Sequence, residues 1–231
     1  MTTAHDERLA RTLQQLYEHR FSPAEAVAMN AVWKVLVEDF FQARLRPDAT
    51  VVDIGAGSCS FINHVHARRR IALDANPNLA MVAAAGVETH VTHDLELDEL
   101  RDVPVGHVFM SNFLEHLPSF DLMLSLLARI HEVLEPGGTL LVLQPNFRLN
   151  PRRYFDFVDH TLVLTDASLV EALEVAGFSI IEKRVRFLPY TSKSKTPKWP
   201  IAVKAYLRIR PAQWVLGKQT FIVAQKPPAT A

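Results

Sequence analysis

The sequence predicts an α/β fold in which helices cover both faces of a mostly parallel sheet. Three observations predict it. An apolar run at 51–58 ends in an acid and two spaced glycines, VVDIGAGS. Further short apolar runs follow and end in polar or acidic residues, as buried parallel strands do. Segments with helical periodicity and helix-start signals lie between or before these runs.

The turn after the first strand is the most informative segment. Gly55 and Gly57 let the chain bend sharply from a strand into a helix and let a ligand approach bare main chain. Asp53 can accept hydrogen bonds from an ammonium or a ribose, whereas it would repel a pyrophosphate. The turn therefore predicts a binding loop for a ligand without phosphates nearby. Glycines that serve only packing are the alternative.

The later strands place more acids at strand ends. The run from Arg70 ends at Asp74, about twenty residues after the glycines, where a ribose-binding carboxylate is expected. A third strand around 91–93 ends at Asp94, which could meet an adenine edge. A turn at 135–138 separates a predicted helix, 122–134, from the fifth strand. The other strands are predicted at 107–112, 139–144, 178–187 and 219–224.

The stretch before the first strand predicts helices to about residue 45. Ser22 provides an N-cap, Pro23 suits the first helical position and Glu25 completes a capping box. A later helix is predicted to begin near Thr165 or Asp166.

This ordered series resembles the class I S-adenosylmethionine-dependent methyltransferases over roughly residues 50–177. That family combines an acid-x-Gly-x-Gly turn with later acidic strand ends and a Leu-x-Pro-Gly-Gly turn before strand five. The resemblance implies a Rossmann-like three-layer sandwich with a seven-stranded, mostly parallel sheet, an antiparallel last strand and N-terminal helices. It also implies S-adenosyl-L-methionine as the cofactor and S-adenosyl-L-homocysteine as the product.

The resemblance assigns cofactor-binding roles to particular residues. The loop after the first strand, with Asp53, Gly55, Ala56 and Gly57, would hold the methionine end. Asp74 with the adjacent Ala75 would hold the ribose, and Asp94 with Leu95 would contact the adenine. Asn112 and Phe113 would line the cofactor beside the transferred methyl. The sequence departs from the family at Cys59, where most members have a third glycine. Cysteine is small and commonly buried, so we expect the pocket to survive this change.

Two histidines are the candidate catalytic residues. Methyl transfer is a direct displacement, so the enzyme mainly aligns the reacting groups, and a base helps when the acceptor is a hydroxyl. His116, directly after the fourth strand, is the predicted base, with a role in bracing the next helix as the alternative. His160 could hydrogen-bond the acceptor.

The same region resembles the Glu-x-x-Glu-His plus distal His pattern of metal-assisted methyltransferases, such as small-RNA 2′-O-methyltransferases and ubiquinone-pathway O-methyltransferases. Glu115, His116 and His160 could bind one divalent ion that polarises a hydroxyl. The first acid of that pattern is Asn112 here, which removes a charge. We therefore expect no metal to be required.

Composition favours one globular domain. The 231 residues carry 25 basic and 25 acidic side chains and one cysteine, which excludes a disulfide framework and favours a reducing compartment. The start has no secretory pattern and no apolar run is long enough to span a membrane. We expect a single cytoplasmic methyltransferase domain over 1–231. It would consist of an N-terminal helical cap at 1–46, a core at 47–187 and 218–228, and a basic insertion at 188–217.

The segment between the last two predicted strands contains ten lysines and arginines and no acid from Lys183 to Lys218. Such segregation usually marks an anionic partner. A phosphorylated acceptor, an anionic bilayer and nucleic acid are the candidates, and nucleic acid is least favoured because no dedicated binding module is present. A solvated basic face is the alternative.

These patterns together predict O-methylation of an anionic, sugar-containing or lipid-linked acceptor, with peripheral membrane contact through 188–217. A small-molecule O-methyltransferase of secondary metabolism and, more distantly, RNA 2′-O-methylation are alternatives. A non-catalytic cofactor-binding scaffold is a further alternative, suggested by Cys59. A dinucleotide oxidoreductase is disfavoured by Asp53 and by the turn at 136–138.

Overall fold

The computed structural model describes residues 23–190 and 199–229. Their helices and strands, with short helical turns between some of them, run in chain order as α1 (Pro23–Leu36), β1 (Thr50–Ile54), β2 (Arg69–Asp74), α2 (Leu79–Val82), β3 (Val87–Val91), β4 (Val105–Ser111), α3 (Phe120–Val133), β5 (Leu134–Pro145), α4 (Asp166–Val175), β6 (Ser179–Arg184), α5 (Pro200–Arg208), α6 (Arg210–Leu216) and β7 (Gln219–Gln225).

The strands form one seven-stranded sheet in the order β3-β2-β1-β4-β5-β7-β6. Strands β1 to β5 are parallel, whereas β7 is antiparallel to both β5 and β6. The predicted mostly parallel sheet with an antiparallel last strand is confirmed. The carboxyl ends of β1 to β5 meet at one edge, here called the carboxyl edge. The strand order reverses between β1 and β4, where open α/β sheets bind ligands.

Side chains that alternate along each strand build two cores, one on each face of the sheet. Val52 and Ile54 of β1 pack in a core that includes residues of α3 and α4. Val51 faces the other core, which is rich in phenylalanine and includes the stacked rings of Phe61 and Phe109, 3.7 Å apart between centroids. The period of two places Asp53 on the same face as Val51, at the end of the strand.

The chain does not enter an α-helix after the glycines, so that prediction is wrong. Residues 55–61 form successive turns and lead to a single 3₁₀ turn, Ile62–His64, before β2. Cys59 is fully buried with a φ of 56°, in the left-handed region that a right-handed helix cannot use. The residue that replaces the family's third glycine therefore adopts a conformation that favours glycine.

The third strand begins four residues earlier than predicted and ends at Val91, so that it spans Val87–Val91. Its pairing with β2 ends where Val91 lies opposite Asp74. Asp94 therefore follows the strand by three residues instead of ending it. This edge strand is only partly buried and carries polar residues at 88–90, so its apolar signal is weak.

Strand β5 begins earlier than predicted, because the expected turn at 135–138 belongs to it. Gly137 donates its N–H to the carbonyl of Lys226, and Lys226 donates its N–H to the carbonyl of Gly138. These bonds continue the pairing with the end of the chain. Gly137 has a φ of 79°, which explains why glycine is found there.

The other predicted helices are found close to their expected bounds. Helical turns continue from α1 through a π turn, Val37–Phe41, to Arg44. Helix α4 has Thr165 as its N-cap, whose hydroxyl accepts from the N–H of Ser168. The predicted cap Ser22 lies outside the described residues. No helix in the described ranges has the length and apolar character needed to cross a bilayer.

Candidate active site

The glycine turn at the end of β1 is hydrogen-bonded to the end of β2. Gly55 donates its N–H to the carbonyl of Leu73 at 2.9 Å, and Gly57 donates to Oδ2 of Asp74 at 2.7 Å. The other carboxylate oxygen of Asp74 accepts from the N–H of Asn76 at 2.8 Å. Gly55 and Gly57 have φ values of 71° and 53°. The structure thus places the predicted ribose ligand directly against the predicted methionine-end loop.

Asp53 lies behind this turn and is almost completely buried. Its carboxyl group accepts one hydrogen bond from the main chain of Ile62, but Oδ2 has no hydrogen-bond donor among the described residues. Burial, and then the nearby charge of Asp74, raise the pKa of Asp53 well above its ordinary value. A buried oxygen without a donor is costly, so this position suits a ligand that brings a cationic donor.

Asn112 and Phe113 close the same region from the end of β4. Asn112 has a φ of 50° and donates its N–H to the carbonyl of Leu143 at 2.9 Å. The ring of Phe113 lies against Gly55 so closely that a Cβ there would come 2.3 Å from ring atom Cδ2. Both its φ and the nearby ring therefore require glycine at position 55. The same contact shows that the ends of β1 and β4 meet at the switch point.

The predicted adenine residues lie beyond β3. Asp94 is exposed, and its Oδ1 accepts from the N–H of Glu96 at 3.2 Å, which forms a local turn. Leu95 packs against the core that contains α3. Ala56 and Ala75 are part of the loops after β1 and β2, and Ala56 donates its N–H to Leu73.

Cys59 is close to the acids of this site. Burial raises the pKa of its thiol to about 12, and the charges of Asp53 and Asp74 contribute to that increase. The thiol is therefore protonated at neutral pH and lacks the thiolate needed for nucleophilic attack.

Glu115, His116 and His160 converge next to this region. Glu115 is fully buried, and its Oε2 accepts from Nε2 of Gln144 at 2.9 Å. Its Oε1 has no donor within the described part of the chain and lies 3.9 Å from Nε2 of both His116 and His160. One potential ligand atom from each of the three residues lies within 4.8 Å of the others. The arrangement suits a shared proton, a hydroxyl or a cation.

Backbone hydrogen bonds bring the distant His160 to this cluster. Thr161 and Leu162 both donate their N–H groups to the carbonyl of Glu115, at 2.8 and 3.1 Å. The preceding Asp159 contacts Nδ1 of His116 through its carbonyl at 3.1 Å and through Oδ2 at 3.2 Å. If Nδ1 carries the proton, as these two acceptors favour, Nε2 of His116 is left as the basic nitrogen.

Burial and charge oppose each other at this cluster. Burial lowers the pKa of His116, but the hydrogen bond to Asp159 and the charges of Glu115 and Asp159 outweigh it and raise the pKa above its ordinary value. Burial raises the pKa of Glu115. An imidazole with a raised pKa next to two carboxyl groups is suited to accept a proton.

The residues that support the cluster were not predicted from the sequence. Gln144 holds Glu115, and the buried ring of Tyr154 lies 5.0 Å from the ring of His160. A polar residue at the end of the apolar fifth strand was the available signal for Gln144. The packing of Tyr154 has no comparable signal in the sequence.

Comparison with known proteins supports the fold assignment. The model of a family described as "Methyltransferase domain" matches residues 24–183. A search among curated proteins gives no significant match. A SAM-dependent methyltransferase from Archaeoglobus fulgidus has 18% identity and a TM-score of 0.65, with 92% of this chain and 99% of that chain covered.

Two further solved structures show similar folds with different named activities. The N-methyltransferase NodS from Bradyrhizobium japonicum, in complex with S-adenosyl-L-homocysteine, has 12% identity, a TM-score of 0.57 and 89% coverage of both chains. An O-methyltransferase family protein from Burkholderia thailandensis has 15% identity and a TM-score of 0.58, and 98% of this chain aligns with 60% of that chain. The fold alone does not decide which atom is methylated.

The seven-stranded, mostly parallel sheet is that of the class I methyltransferases, a class whose cofactor is S-adenosylmethionine. Because the family model covers more than half of its length, the chain belongs to the methyltransferase domain family. The predicted family and fold are confirmed.

Proposed function

We propose that this protein transfers the methyl group of S-adenosylmethionine to a hydroxyl oxygen. The observation that carries the proposal is the convergence of Glu115, His116 and His160 directly beyond Asn112 and Phe113, which follow β4 at the switch point. A pair of imidazoles at that place can hold and deprotonate a hydroxyl beside the methyl donor.

The donor side of the proposed site rests on the two buried acids. The unpaired oxygen of Asp53 suits the ammonium group of the methionine end, and Asp74 can accept from ribose hydroxyls while it holds Gly57. The residues proposed to complete this site are Gly55, Ala56, Ala75, Asp94, Leu95, Asn112 and Phe113. When bound, the cofactor would supply a methyl group on a sulfonium, with the neutral thioether S-adenosylhomocysteine as the leaving group.

His116 is proposed to act as the base. Its Nε2 accepts the hydroxyl proton, while Asp159 at Nδ1 orients the ring and stabilises the imidazolium. His160 lies close to the same carboxylate oxygen and is proposed to orient the acceptor. The proton leaves the oxygen as the carbon–oxygen bond forms, and the bond from the methyl carbon to sulfur breaks.

The same geometry supports a second candidate, one divalent ion held by Glu115, His116 and His160. Two imidazole nitrogens and one carboxylate oxygen suit several divalent transition metals. Gln144 on the carboxylate and Asp159 on the imidazole would hold the ligands in place, as outer partners of metal ligands do. An ion there would polarise the hydroxyl and reduce the need for a base.

The acceptor is proposed to be anionic and to contain a sugar or a lipid-linked group. The basic segment between β6 and β7 supports this choice, because it leaves and re-enters the sheet at the carboxyl edge. Gln219 at the start of β7 lies opposite Pro145 at the end of β5. A small-molecule acceptor of secondary metabolism and cofactor binding without turnover are the alternatives that the assay must separate. We also propose a cytoplasmic location and the single domain expected from the sequence.

The test has two stages. Calorimetric titration with S-adenosylmethionine and S-adenosylhomocysteine establishes the donor site, with a nicotinamide dinucleotide as the comparison ligand. Transfer of labelled methyl is then measured with lipid-linked sugars, phosphorylated sugars and phenols. Cofactor binding without transfer to any acceptor would favour a scaffold, and binding of the dinucleotide alone would contradict the proposal.

Variants test the histidine cluster. We expect His116→Ala to lower the rate by roughly 10²-fold or more while cofactor affinity is retained, because a positioned base contributes about that much. His160→Ala should raise KM or lower the rate, and His66→Ala, an exposed histidine outside the cluster, should change neither. Loss of activity with a chelator and recovery with one divalent ion would establish the metal candidate. A chelator without effect would favour the base.

A further inference from the structure

Helices α5 and α6 expose large apolar side chains to solvent. Trp199, Ile201 and Trp214 have exposed fractions of 72%, 77% and 71%, and Val215 is 63% exposed. Exposed apolar patches rimmed by polar residues commonly mark interaction sites on soluble proteins. We call the exposed side chains at 199, 201, 204, 208–210 and 214–216 the outer face of α5–α6.

Basic residues are interleaved with these apolar residues. Lys204 forms an ion pair with Asp39 at 3.3 Å. Within residues 23–190 and 199–229, neither Arg208 nor Arg210 lies within ion-pair distance of a carboxylate. The sequence has no acid from Lys183 to Lys218. The outer face thus combines tryptophans and aliphatic side chains with the positive charges of Arg208 and Arg210.

The inner side of these helices is fixed to the body of the protein. Val203 and Leu207 pack against the phenylalanine-rich core. Tyr206 donates its hydroxyl to the carbonyl of Phe187 at 2.6 Å. The buried side chain of Gln213 in α6 donates to the carbonyl of Leu207 at 3.0 Å and so joins the two helices. The outer face is therefore a formed surface on packed helices.

The outer face belongs to the part of the chain that approaches the candidate active site. Lys218, which follows α6, accepts at its carbonyl from the N–H of Asn146, directly beyond β5. Tyr190, after β6, donates its hydroxyl to the carbonyl of Tyr154, whose ring contacts His160. The residues on either side of the two helices therefore lie at the carboxyl edge of the sheet.

We propose that the outer face of α5–α6 docks on the surface of an anionic phospholipid bilayer. Tryptophan and aliphatic side chains enter the boundary between headgroups and acyl chains, while Arg208 and Arg210 contact anionic headgroups. Nucleic acid would use the charges but gives no partner to Ile201, Ile209 and Val215. The inference that a lipid-linked acceptor is presented to the site in this way rests on the proposed function, whereas docking itself does not.

The test is sedimentation of the full-length protein with vesicles, at low and at high salt, without cofactor or acceptor. We expect binding to vesicles of phosphatidylcholine with one third phosphatidylglycerol, and much weaker binding to phosphatidylcholine alone. Trp199→Ser with Trp214→Ser, and separately Arg208→Glu with Arg210→Glu, should each weaken binding roughly tenfold or more. High salt should weaken binding of the wild type.

Matched controls change the same chemistry elsewhere. Met81→Ser alters a side chain that is 82% exposed, and Arg68→Glu reverses an exposed charge before β2. Both should bind vesicles as the wild type does. Thermal unfolding and S-adenosylmethionine titration of every variant establish that it is folded. These measurements separate a failure of docking from a failure of the methyl-transfer proposal, because docking needs no acceptor.

Three results would overturn the inference. The first is no binding of the wild type to anionic vesicles. The second is equal loss of binding in the control variants. The third is binding of an RNA oligonucleotide, but not of vesicles, that depends on Arg208 and Arg210, which would make the outer face a nucleic-acid surface.

Discussion

The stability of this fold is expected to depend on the neutral form of a buried histidine at the start of β4. Nε2 of His107 accepts a hydrogen bond from the main-chain N–H of Arg46 at 2.9 Å, and Nδ1 lies 2.7 Å from the hydroxyl of Thr139. Nε2 can accept only when it carries no proton, so Nδ1 is the protonated nitrogen. Protonation of Nε2 would break the bond to Arg46 in a buried place.

The size of this effect follows from the pKa. Burial, and then the charge of Arg46, lower the pKa of His107 from 6.5 to about 4. The neutral histidine therefore contributes stability that is fully present above pH 6.5 and is lost as the pH falls toward 4. The full pKa difference corresponds to about 3 kcal/mol in the free energy of unfolding, of which about 1.4 kcal/mol is already lost at pH 5.5.

Urea unfolding of the wild type and of His107→Gln at several pH values isolates this contribution from the carboxyl groups. The variant is expected to be less stable near pH 7.5, and the difference should shrink by about 2.6 kcal/mol by pH 4.5, because only the wild type loses the histidine contribution. A difference that stays constant with pH would refute the assignment of the buried neutral histidine.

Two predictions concern the cofactor site. Gly55→Ala should weaken S-adenosylmethionine binding at least tenfold in calorimetry, because its φ of 71° strains alanine and the new Cβ meets the ring of Phe113. Phe113→Ala alone measures the ring's own contribution to binding, so a double variant that binds as tightly as Phe113→Ala would show that glycine serves the ring and not the cofactor. Asp53→Asn should raise the free energy of unfolding at pH 7. The raised pKa of Asp53 means that keeping this buried carboxyl ionised destabilises the folded protein above the ordinary pKa, and asparagine removes that cost. The gain should shrink as the pH falls and vanish below the ordinary pKa of 3.8, where the unfolded acid is also protonated. The variant should bind S-adenosylmethionine roughly ten- to a hundredfold more weakly, and unchanged affinity would contradict the ammonium-binding role.

The sequence predicted the strands whose central residues are apolar. Strands β1, β2 and β4 lie within two residues of their expected bounds, because burial on both faces makes their central residues apolar. It misplaced β3, where one edge is unpaired and the residues are polar. It also missed that residues 135–138 continue β5, because that depends on pairing with the distant Lys226.

The turn after β1 shows a different limit. Its glycines correctly marked a sharp turn at the switch point, but an α-helix was expected after it. The left-handed backbone of Cys59 and its complete burial replace that helix with a series of turns. Residue type at a single position does not reveal a backbone conformation that the surrounding core imposes.

Cofactor residues could be proposed from the sequence because they follow strands that share one edge of a parallel sheet. Asp53, Asp74 and Asn112 are local features of three strand ends, and parallel pairing brings these ends together. The family pattern also brought Glu115, His116 and His160 under consideration as one group.

By itself, the sequence determined the α/β class and the positions of the glycines and acids, since apolar periodicity and turn chemistry are local properties. Only the tertiary structure decided that His116 meets Asp159, 43 residues later, and that the outer face of α5–α6 remains uncovered while its inner face packs. Both depend on hydrogen bonds and burial between distant segments. No local pattern of residues specifies such contacts, because they arise only when the sheet places those segments side by side.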